Sequence, residues 1–314
     1  MKIYLDTTFI KPKDYQQLIS DYPKHQYTFT EDEDCDVIVG FFGRKEQNFF
    51  DQFKQLKWII LISSGYNHLD FNYLTKRGIT VTNAKGVYGI SISEDVVSKM
   101  LYFDKNIYQY IENQQNHLWQ SAPPHHEMYE KQALILGTGS IGLEIAKRLK
   151  GFDMEVIGYK SKPEELPYFD QIITSKSKLN EFYKTCDYLI ITLPSNKHTK
   201  HFVNKETFDL LKPSTLLINI ARGDIILQED LVKALQEGKI RGAALDVVTP
   251  EPLPYDHILW SMHHVLITPH SSSLSPRINE RRIKMIIKLL TAFDQKQPLF
   301  NIVLDGDMSE QKNK

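Results

Sequence analysis

The feature that most constrains this chain is the alternation of short apolar runs with helical segments along its whole length. The runs are KIYLD, DVIVGF, WIILIS, ITVTNA, QALILG, MEVIGY, YLIITLP, STLLINI, GAALDV and VLITPH. Such nearly continuous apolar character is typical of parallel strands that are covered on both faces. Segments between the runs, such as EDLVKALQEGKI, place Leu231, Ala234 and Leu235 at helical spacing. This pattern predicts an α/β fold with parallel sheets.

Ten or more strands favour two sheets over one, because an open sheet of that size is uncommon. The candidate seam runs from Ser93 to Gln132 and contains a helix, EDVVSKMLYFDKNIYQYI, followed by a loop, SAPPHHEMYEK. The last helix, SPRINERRIKMIIKLLTAFDQ, is expected to cross back to the first half. We expect one domain of residues 1–95 plus 286–314 and a second of residues 96–285. The alternative is one doubly wound domain with a long insertion.

Composition limits the classes of partner. The formal net charge is −1, which gives no sign of a nucleic-acid-binding or membrane-binding surface. No apolar run approaches the roughly 20 residues of a membrane span, and the start, MKIYLDTTFI, is too polar and too short for a signal peptide. Cys35 and Cys186 lack the spacing of zinc ligands. We expect a cytoplasmic protein with no metal, and a frayed tail, GDMSEQKNK.

A glycine-rich turn lies between an apolar strand and a helix in ALILGTGSIGLEIAKRL. This context makes the GxGxxG pattern a strong indication of a dinucleotide site. Gly137 allows the tight turn, Gly139 lets the backbone approach a pyrophosphate, and Gly142 permits close packing of helix on strand. The free N–H groups at the helix start favour phosphate. The predicted cofactor-binding residues of this turn are Gly137, Thr138, Gly139, Ser140, Ile141 and Gly142; the alternative is a turn with no ligand.

The segment after the next strand, VIGYKSKPEE, lacks an expected acid. NAD-binding units usually carry Asp or Glu about 20 residues beyond the glycines, where it binds the adenosine ribose. Here Lys160, Ser161 and Lys162 occupy that place, and Glu164 and Glu165 follow too late. Cations and a hydroxyl suit a ribose 2′-phosphate, so we predict that NADP(H) is preferred while NAD(H) is usable. In the alternative reading both lysines point into solvent.

Three chemically useful side chains occur in the last third of the chain. Arg222 follows an apolar strand, at the edge where ligands bind in open α/β sheets, and its planar guanidinium suits a carboxylate. Glu251 lies between two prolines, and His270 ends another strand. A carboxylate beside an imidazole orients the ring and favours its protonated form. Each residue alone is more often structural, but together they form a coherent set for acid–base chemistry on a carboxylate substrate.

The chain resembles the D-isomer-specific 2-hydroxyacid dehydrogenases, especially their glyoxylate/hydroxypyruvate reductase-like branch. The resemblance covers nearly the whole chain. It rests on SSGYNHLD, ITVTNAKGVYGISISEDVV, GTGSIG, LPSNKHTKHFVN, NIARGDII, GAALDVVTPEPLP and ITPH, which occur in the family's order. It implies a Rossmann nucleotide domain inserted into a flavodoxin-like substrate domain, both doubly wound parallel-sheet domains.

The resemblance also implies roles for single residues. Arg222 is expected to bind the substrate carboxylate and polarise the keto group. His270 is expected to donate the proton while Glu251 keeps it protonated, and backbone N–H groups near Ser64 and Gly65 help to hold the carboxylate. The cofactor is expected to contact Leu193, Pro194, Thr199, Ile220, Ala221, Asp246 and Ser272.

Assembly and substrate are also expectations. The aromatic arm from Tyr102 to Tyr129 predicts a homodimer, the alternative being an arm folded onto its own domain. Phe41, Phe42 and Arg44 follow a strand and are candidates for contact with the substrate side chain; for Arg44 the favoured alternative is a surface arginine. The expected activity is NADP(H)-dependent reduction of small 2-oxo acids to D-2-hydroxy acids. Two alternatives remain: a non-catalytic dinucleotide-sensing protein, and a phosphoglycerate dehydrogenase-like enzyme, which the lack of a regulatory domain after the last helix disfavours.

Overall fold

A computed structural model describes residues 1–43, 45–66 and 68–303, and the side chain of Gln47 is also left out. Arg44 and the tail segment GDMSEQKNK therefore lie outside the described residues. The chain forms two compact units, which are Met1–Tyr88 with the chain from Ser275 onward, and Gly89–Leu274. None of the described helices combines the length and apolar character needed to cross a membrane.

The first unit contains a five-stranded parallel sheet. Its strands are β1 (Lys2–Leu5), β2 (Gln26–Thr28), β3 (Val37–Gly40), β4 (Trp58–Leu61) and β5 (Thr80–Thr82). They lie in the order β2-β1-β3-β4-β5, which is the flavodoxin-like order. The helices of this unit are α1 (Pro12–Asp21), α2 (Phe71–Lys76) and the last helix of the chain, α9 (Ile278–Asp294). Strands β3 and β4 are fully buried, as their apolar sequences predict, and α1 packs against α9.

The second unit contains a seven-stranded parallel sheet. Its strands are β6 (Gln132–Leu136), β7 (Glu155–Tyr159), β8 (Gln171–Ile173), β9 (Tyr188–Ile191), β10 (Leu216–Asn219), β11 (Gly242–Leu245) and β12 (Val265–Ile267). The helices are α3 (Gly89–Asp104), α4 (Ile107–Gln115), α5 (Ser140–Leu149), α6 (Lys176–Tyr183), α7 (Lys205–Leu210) and α8 (Gln228–Gln236). The strand order β12-β11-β10-β9-β6-β7-β8 is that of a Rossmann sheet with one added edge strand. The predicted fold class is confirmed.

The strand order fixes where a ligand binds in the second unit. Strand β6 pairs in parallel with β7 on one side and with β9 on the other, so the order in which successive strands join the sheet reverses at this point. Ligands of open α/β sheets bind beyond the carboxyl ends of the strands at such a switch point. The glycine-rich turn follows β6 and therefore lies at this position.

Two details differ from the expectation. The single helix predicted for EDVVSKMLYFDKNIYQYI is two helices, because Asn106 adopts a left-handed backbone with φ of 50° and separates α3 from α4. Asparagine tolerates this conformation, and its side-chain amide donates to the carbonyl of Pro123 at 3.0 Å. The expected domain boundaries after residues 95 and 285 fall inside α3 and α9, whereas the compact units keep both helices whole.

A buried ion pair supports the amino-terminal edge of the seven-stranded sheet. The Asp104 side chain is fully buried, and Arg241 Nη2 donates to its Oδ1 at 2.8 Å. The hydroxyl of Tyr188 donates to the other oxygen at 2.7 Å. Because each carboxylate oxygen has a donor, the buried charge is compensated, which links the end of α3 to β9 and to the residue before β11.

Both cysteines are structural. Cys35 and Cys186 are fully buried free thiols at the starts of β3 and β9. Burial raises the pKa of Cys35 to about 11 and that of Cys186 to about 12. At neutral pH both sulfurs are therefore protonated and act as small apolar groups, as their positions in the sequence predict.

Candidate active site

The glycine-rich turn has the geometry that a pyrophosphate site requires. Gly137 adopts a φ of 103°, and its N–H donates to the carbonyl of Tyr159 at 2.9 Å. A Cβ on Gly142 would lie 2.2 Å from the oxygen of Gly137, so only glycine lets α5 start this close to β6. Gly139 is the N-cap of α5, and Ser140 and Ile141 open the helix.

The residues present fit a dinucleotide. A Cβ built on Gly139 would meet no atom within 4 Å, so open space lies beside the backbone at the positive end of α5. The hydroxyl of Thr138 is buried and has no hydrogen-bond partner among the described residues. A buried donor left unpaired in this way is costly unless a ligand satisfies it. Both observations are expected of a loop built around phosphate oxygens.

The loop between β9 and α7 borders the same edge of the sheet. The Thr199 hydroxyl donates to the carbonyl of Pro194 at 2.6 Å and accepts the N–H of Asn196 at 2.9 Å. These two bonds close the loop that begins at Leu193. The aromatic ring of Tyr159, at the end of β7, lies against Phe202 from this loop, with ring centroids 5.6 Å apart.

The segment after β7 contains a carboxylate that the sequence reasoning set aside. Lys160 pairs with Glu164 four residues later, and the exposed fractions of the two side chains are 22% and 55%. Ser161 and Lys162 are exposed, and Lys162 forms no ion pair within the described part of the chain. Both lysines therefore follow β7, and Lys160 forms an ion pair with Glu164.

Arg222 lies directly beyond β10 in an extended conformation. Its Nη1 donates to the carbonyl of Ala221 at 2.6 Å, and the guanidinium has no carboxylate partner among the described residues. The buried side chain of Asn219 fixes this loop, since it accepts the N–H of Ala221 at 3.1 Å and donates to the carbonyl of Arg222 at 3.0 Å. The adjoining Ile220 is buried. A positioned, unpaired arginine is free to bind an anionic ligand.

The loop after β11 contacts the loop that carries Arg222. A Cβ on Gly223 would lie 2.1 Å from the oxygen of Val248, so the two loops touch backbone to backbone. Glu251 follows three residues later, and its Oε1 accepts the N–H of Val248 at 3.3 Å. This packing places the carboxyl ends of β10 and β11 in one continuous surface.

His270 and Glu251 form the pair that the sequence predicts. His270 Nδ1 lies 2.9 Å from Glu251 Oε2, and both side chains are more than a third exposed. With the carboxylate on Nδ1, the Nε2 atom is left for a ligand. His270 has a left-handed backbone, with φ of 50°, which is uncommon for a residue other than glycine.

Asp246 accounts for the unusual backbone of His270. Its carbonyl accepts the N–H of His270 at 2.8 Å. Its buried carboxylate accepts the Thr268 hydroxyl at 2.6 Å and the N–H groups of Ser271 and Ser272 at 2.9 and 3.1 Å. Burial alone would raise the pKa of Asp246, but these hydrogen bonds together hold it below its usual value. The side chain expected to meet the cofactor is thus occupied in holding the loop around His270.

Ser64 and Gly65 follow β4 in the first unit. The Ser64 hydroxyl donates to the carbonyl of Ala84 at 3.2 Å, and the Asn83 amide donates to the carbonyl of Ser64 at 2.7 Å. Neither N–H group of the pair has a hydrogen-bond partner among the described residues, which suits the expected role as donors to a carboxylate. Phe42 is 1% exposed and belongs to the core, so of the two adjacent phenylalanines only Phe41 is available to a substrate.

A Rossmann sheet with a glycine fingerprint and a His–Glu pair at its carboxyl edge defines an NAD(P)-dependent oxidoreductase. Residues 97–272 match the family described as "D-isomer specific 2-hydroxyacid dehydrogenase, NAD binding domain". The chain is 30% identical over 269 residues to the glyoxylate reductase of Pyrococcus furiosus, covering 83% of this chain and 80% of that protein. It is 32% identical over 248 residues to the D-3-phosphoglycerate dehydrogenase of Methanocaldococcus jannaschii, covering 76% of this chain and 46% of that protein.

The fold is similar over almost its full length to a solved structure. The crystal structure of a D-isomer specific 2-hydroxyacid dehydrogenase family protein from Aeromonas salmonicida matches with a TM-score of 0.85 at 27% identity. The match covers 96% of this chain and 98% of that one. The chain belongs to the D-isomer-specific 2-hydroxyacid dehydrogenases and is an NAD(P)-dependent oxidoreductase acting on CH–OH groups, which confirms the resemblance inferred from the motifs.

Proposed function

We propose that this enzyme reduces small 2-oxo acids, such as glyoxylate and hydroxypyruvate, to D-2-hydroxy acids with NADP(H) as the preferred cofactor. The observation that carries the proposal is the 2.9 Å His270–Glu251 pair on the strand-end surface that also bears the unpaired Arg222. The name of the Pyrococcus relative, glyoxylate reductase, supports the substrate class.

The proposed mechanism gives Arg222, His270 and Glu251 separate roles. The dihydronicotinamide supplies the hydride when it is bound. Arg222 binds the substrate carboxylate and polarises the keto oxygen, because its planar fork offers parallel donors. His270 Nε2 donates the proton to the oxygen that becomes the hydroxyl, and Glu251 at Nδ1 stabilises the imidazolium.

The cofactor preference rests on the cations after β7. A ribose 2′-phosphate carries about −1.5 to −2 charges near neutral pH, by analogy with other phosphate monoesters. Lys160 and Lys162 supply opposite charge and Ser161 a hydroxyl donor. Exposed ion pairs contribute about 0.2–1 kcal/mol each, so two of them support a preference of roughly tenfold for NADPH. Lys160→Asp is expected to reverse this preference, and raising the salt concentration is expected to reduce it.

A substrate panel tests the activity. Glyoxylate, hydroxypyruvate, pyruvate and bulkier 2-oxo acids are each assayed with NADPH and with NADH at low salt. We expect turnover of the small acids and a higher kcat/KM with NADPH. Tight cofactor binding without turnover of any 2-oxo acid would instead support the dinucleotide-sensing alternative, and a preference for 3-phosphohydroxypyruvate would support the phosphoglycerate dehydrogenase-like alternative.

A homodimer is part of the proposal, because the arm exposes apolar side chains. Ile107, Ile111, Leu118 and Trp119 are 40%, 48%, 52% and 105% exposed, whereas Met128 is buried in its own unit. Exposed aromatic and aliphatic residues concentrated on one arm are typical of a protein interface. Light scattering at micromolar concentration is expected to give twice the 36.5 kDa chain mass, and Trp119→Asp is expected to lower it.

A further inference from the structure

The ion pair between Lys160 and Glu164 lies in the segment where adenosine is expected to bind. Lys160 follows β7 directly and Glu164 lies four residues on, after a bend at Ser161 and Lys162. The side chain of Lys160 is mostly covered, at 22% exposed, while that of Glu164 is 55% exposed. The acid is therefore the more exposed partner of the pair, and the lysine is the more covered one.

The two cofactors place opposite demands on this pair. A 2′-phosphate is repelled by the Glu164 carboxylate and attracted by Lys160, so its binding requires Glu164 to turn away from the lysine. An unphosphorylated ribose offers only hydroxyl groups, and a carboxylate is their preferred acceptor at this edge of a Rossmann sheet. With Glu164 in the pair, the segment contains both an anion-binding and a hydroxyl-binding group.

The other carboxylates near β7 do not pair with Lys160. Glu165 is exposed and forms no ion pair with any described residue. Glu155, inside β7, accepts a hydrogen bond from the Gln132 amide at 2.9 Å, at the opposite end of the strand from Lys160. Among the described carboxylates that follow β7, Glu164 is thus the one that the structure brings to the cation.

We propose that Glu164 is a second cofactor-specificity residue, which accepts the ribose hydroxyls of NAD(H) and releases Lys160 to the 2′-phosphate of NADP(H). The inference rests on the proposed cofactor site and deepens it, because it makes the enzyme able to use both cofactors. It also gives a chain without the usual strand-end acid an acceptor for the ribose hydroxyls of the unphosphorylated dinucleotide.

Direct binding tests the proposal without any reaction. Dissociation constants for NADPH and NADH are measured by nicotinamide fluorescence at low salt for the unmutated protein, Glu164→Gln and the matched control Glu165→Gln. Glu164→Gln is expected to bind NADPH up to about fivefold more tightly and NADH up to about fivefold more weakly, the scale of an exposed ion pair. Glu165→Gln is expected to change neither constant by more than about twofold.

The diagnostic result is that the dissociation constants for NADPH and NADH change in opposite directions. Unchanged constants in Glu164→Gln, or two constants that move in the same direction, would overturn the proposal. Adenosine 2′,5′-bisphosphate and AMP, as competitors that carry no nicotinamide, are expected to repeat the two shifts. If these shifts appear but no 2-oxo acid is reduced, the assigned substrate class fails while the role of Glu164 stands.

Discussion

The carbonyl oxygen of Asp246 accepts the backbone N–H of His270 at 2.8 Å, so a buried strand-end acid fixes the main chain of the proposed proton donor. The Asp246 carboxylate also accepts the N–H groups of the next two residues. A left-handed backbone at a histidine is uncommon, and it persists where surrounding contacts determine it. Asp246 is therefore a positioning residue whose replacement should affect both folding and catalysis.

Asp246→Asn should destabilise the protein by about 1.5–3 kcal/mol at neutral pH, because buried charge-assisted hydrogen bonds are lost. The pKa of Asp246 is lowered from 3.8 in the folded protein, so its stabilisation is complete above that value and is lost as the pH falls through the folded pKa. Urea unfolding at pH 7 and below pH 4 should show the difference between the two proteins shrinking in acid. A constant difference would contradict the ionised state assigned to Asp246.

His270→Ala should lower kcat for reduction by roughly 100-fold or more, the usual scale of general acid–base catalysis. The exposed His263 provides a matched control, since His263→Ala removes an imidazole from the same unit. Cofactor affinity, measured by fluorescence, should stay the same in both variants. A near-normal kcat in His270→Ala would remove this residue from the mechanism.

Glu251→Gln should lower kcat for reduction by about tenfold or more, because the imidazole of His270 loses the carboxylate that lies 2.9 Å from its Nδ1 and orients the ring. Steady-state kinetics with glyoxylate measure the loss. The exposed Glu165 provides a matched control, and Glu165→Gln should retain the original kcat. A Glu251→Gln enzyme with unchanged kcat would contradict the positioning role of Glu251.

Arg222→Lys should not rescue function, because an ammonium group cannot reproduce the planar fork of a guanidinium. If Arg222 binds both the carboxylate and the keto oxygen, kcat should fall and KM should rise together. Steady-state kinetics with glyoxylate give both constants. Kinetics equal to those of the unmutated enzyme would place Arg222 outside the site.

Gly139→Ala and Gly142→Ala separate cofactor binding from folding. A Cβ at residue 139 meets no atom within 4 Å, so this variant should fold normally and yet obstruct the pyrophosphate. A Cβ at residue 142 would lie 2.2 Å from the oxygen of Gly137, so that variant should lose stability. Thermal unfolding without cofactor, together with NADPH titration, should show a binding defect alone for the first and a stability defect for the second.

Sequence patterns predicted most of the fold because its central strands are continuous apolar runs. Strands such as β9 and β10 are buried on both faces, and burial leaves few residue types available. The edge strands β2 and β8, three residues each, went unpredicted because half-exposed edges carry mixed residues. The helix break at Asn106 was missed because neither its left-handed backbone nor its side-chain contact with Pro123, seventeen residues away, leaves a local sequence pattern.

The candidate site was predictable where a motif places a residue directly at a strand end. Arg222, Glu251 and His270 lie in the loops that follow three successive strands, β10, β11 and β12, and the glycines follow β6 immediately. The pairing of Glu164 with Lys160 and the contacts of Asp246 were not predictable, because a bend and a side-chain rotamer determine them. Such contacts depend on the conformation of the loop, which a local sequence pattern does not specify.

The two buried thiols make the chain a convenient background for site-specific labelling. The sequence contains only Cys35 and Cys186, and with pKa values of about 11 and 12 neither presents a thiolate to maleimide or iodoacetamide at neutral pH. A cysteine introduced at an exposed position, as in Glu165→Cys, would therefore react alone. A fluorophore attached there would report the arrival of a dinucleotide, and neither native cysteine would have to be replaced first.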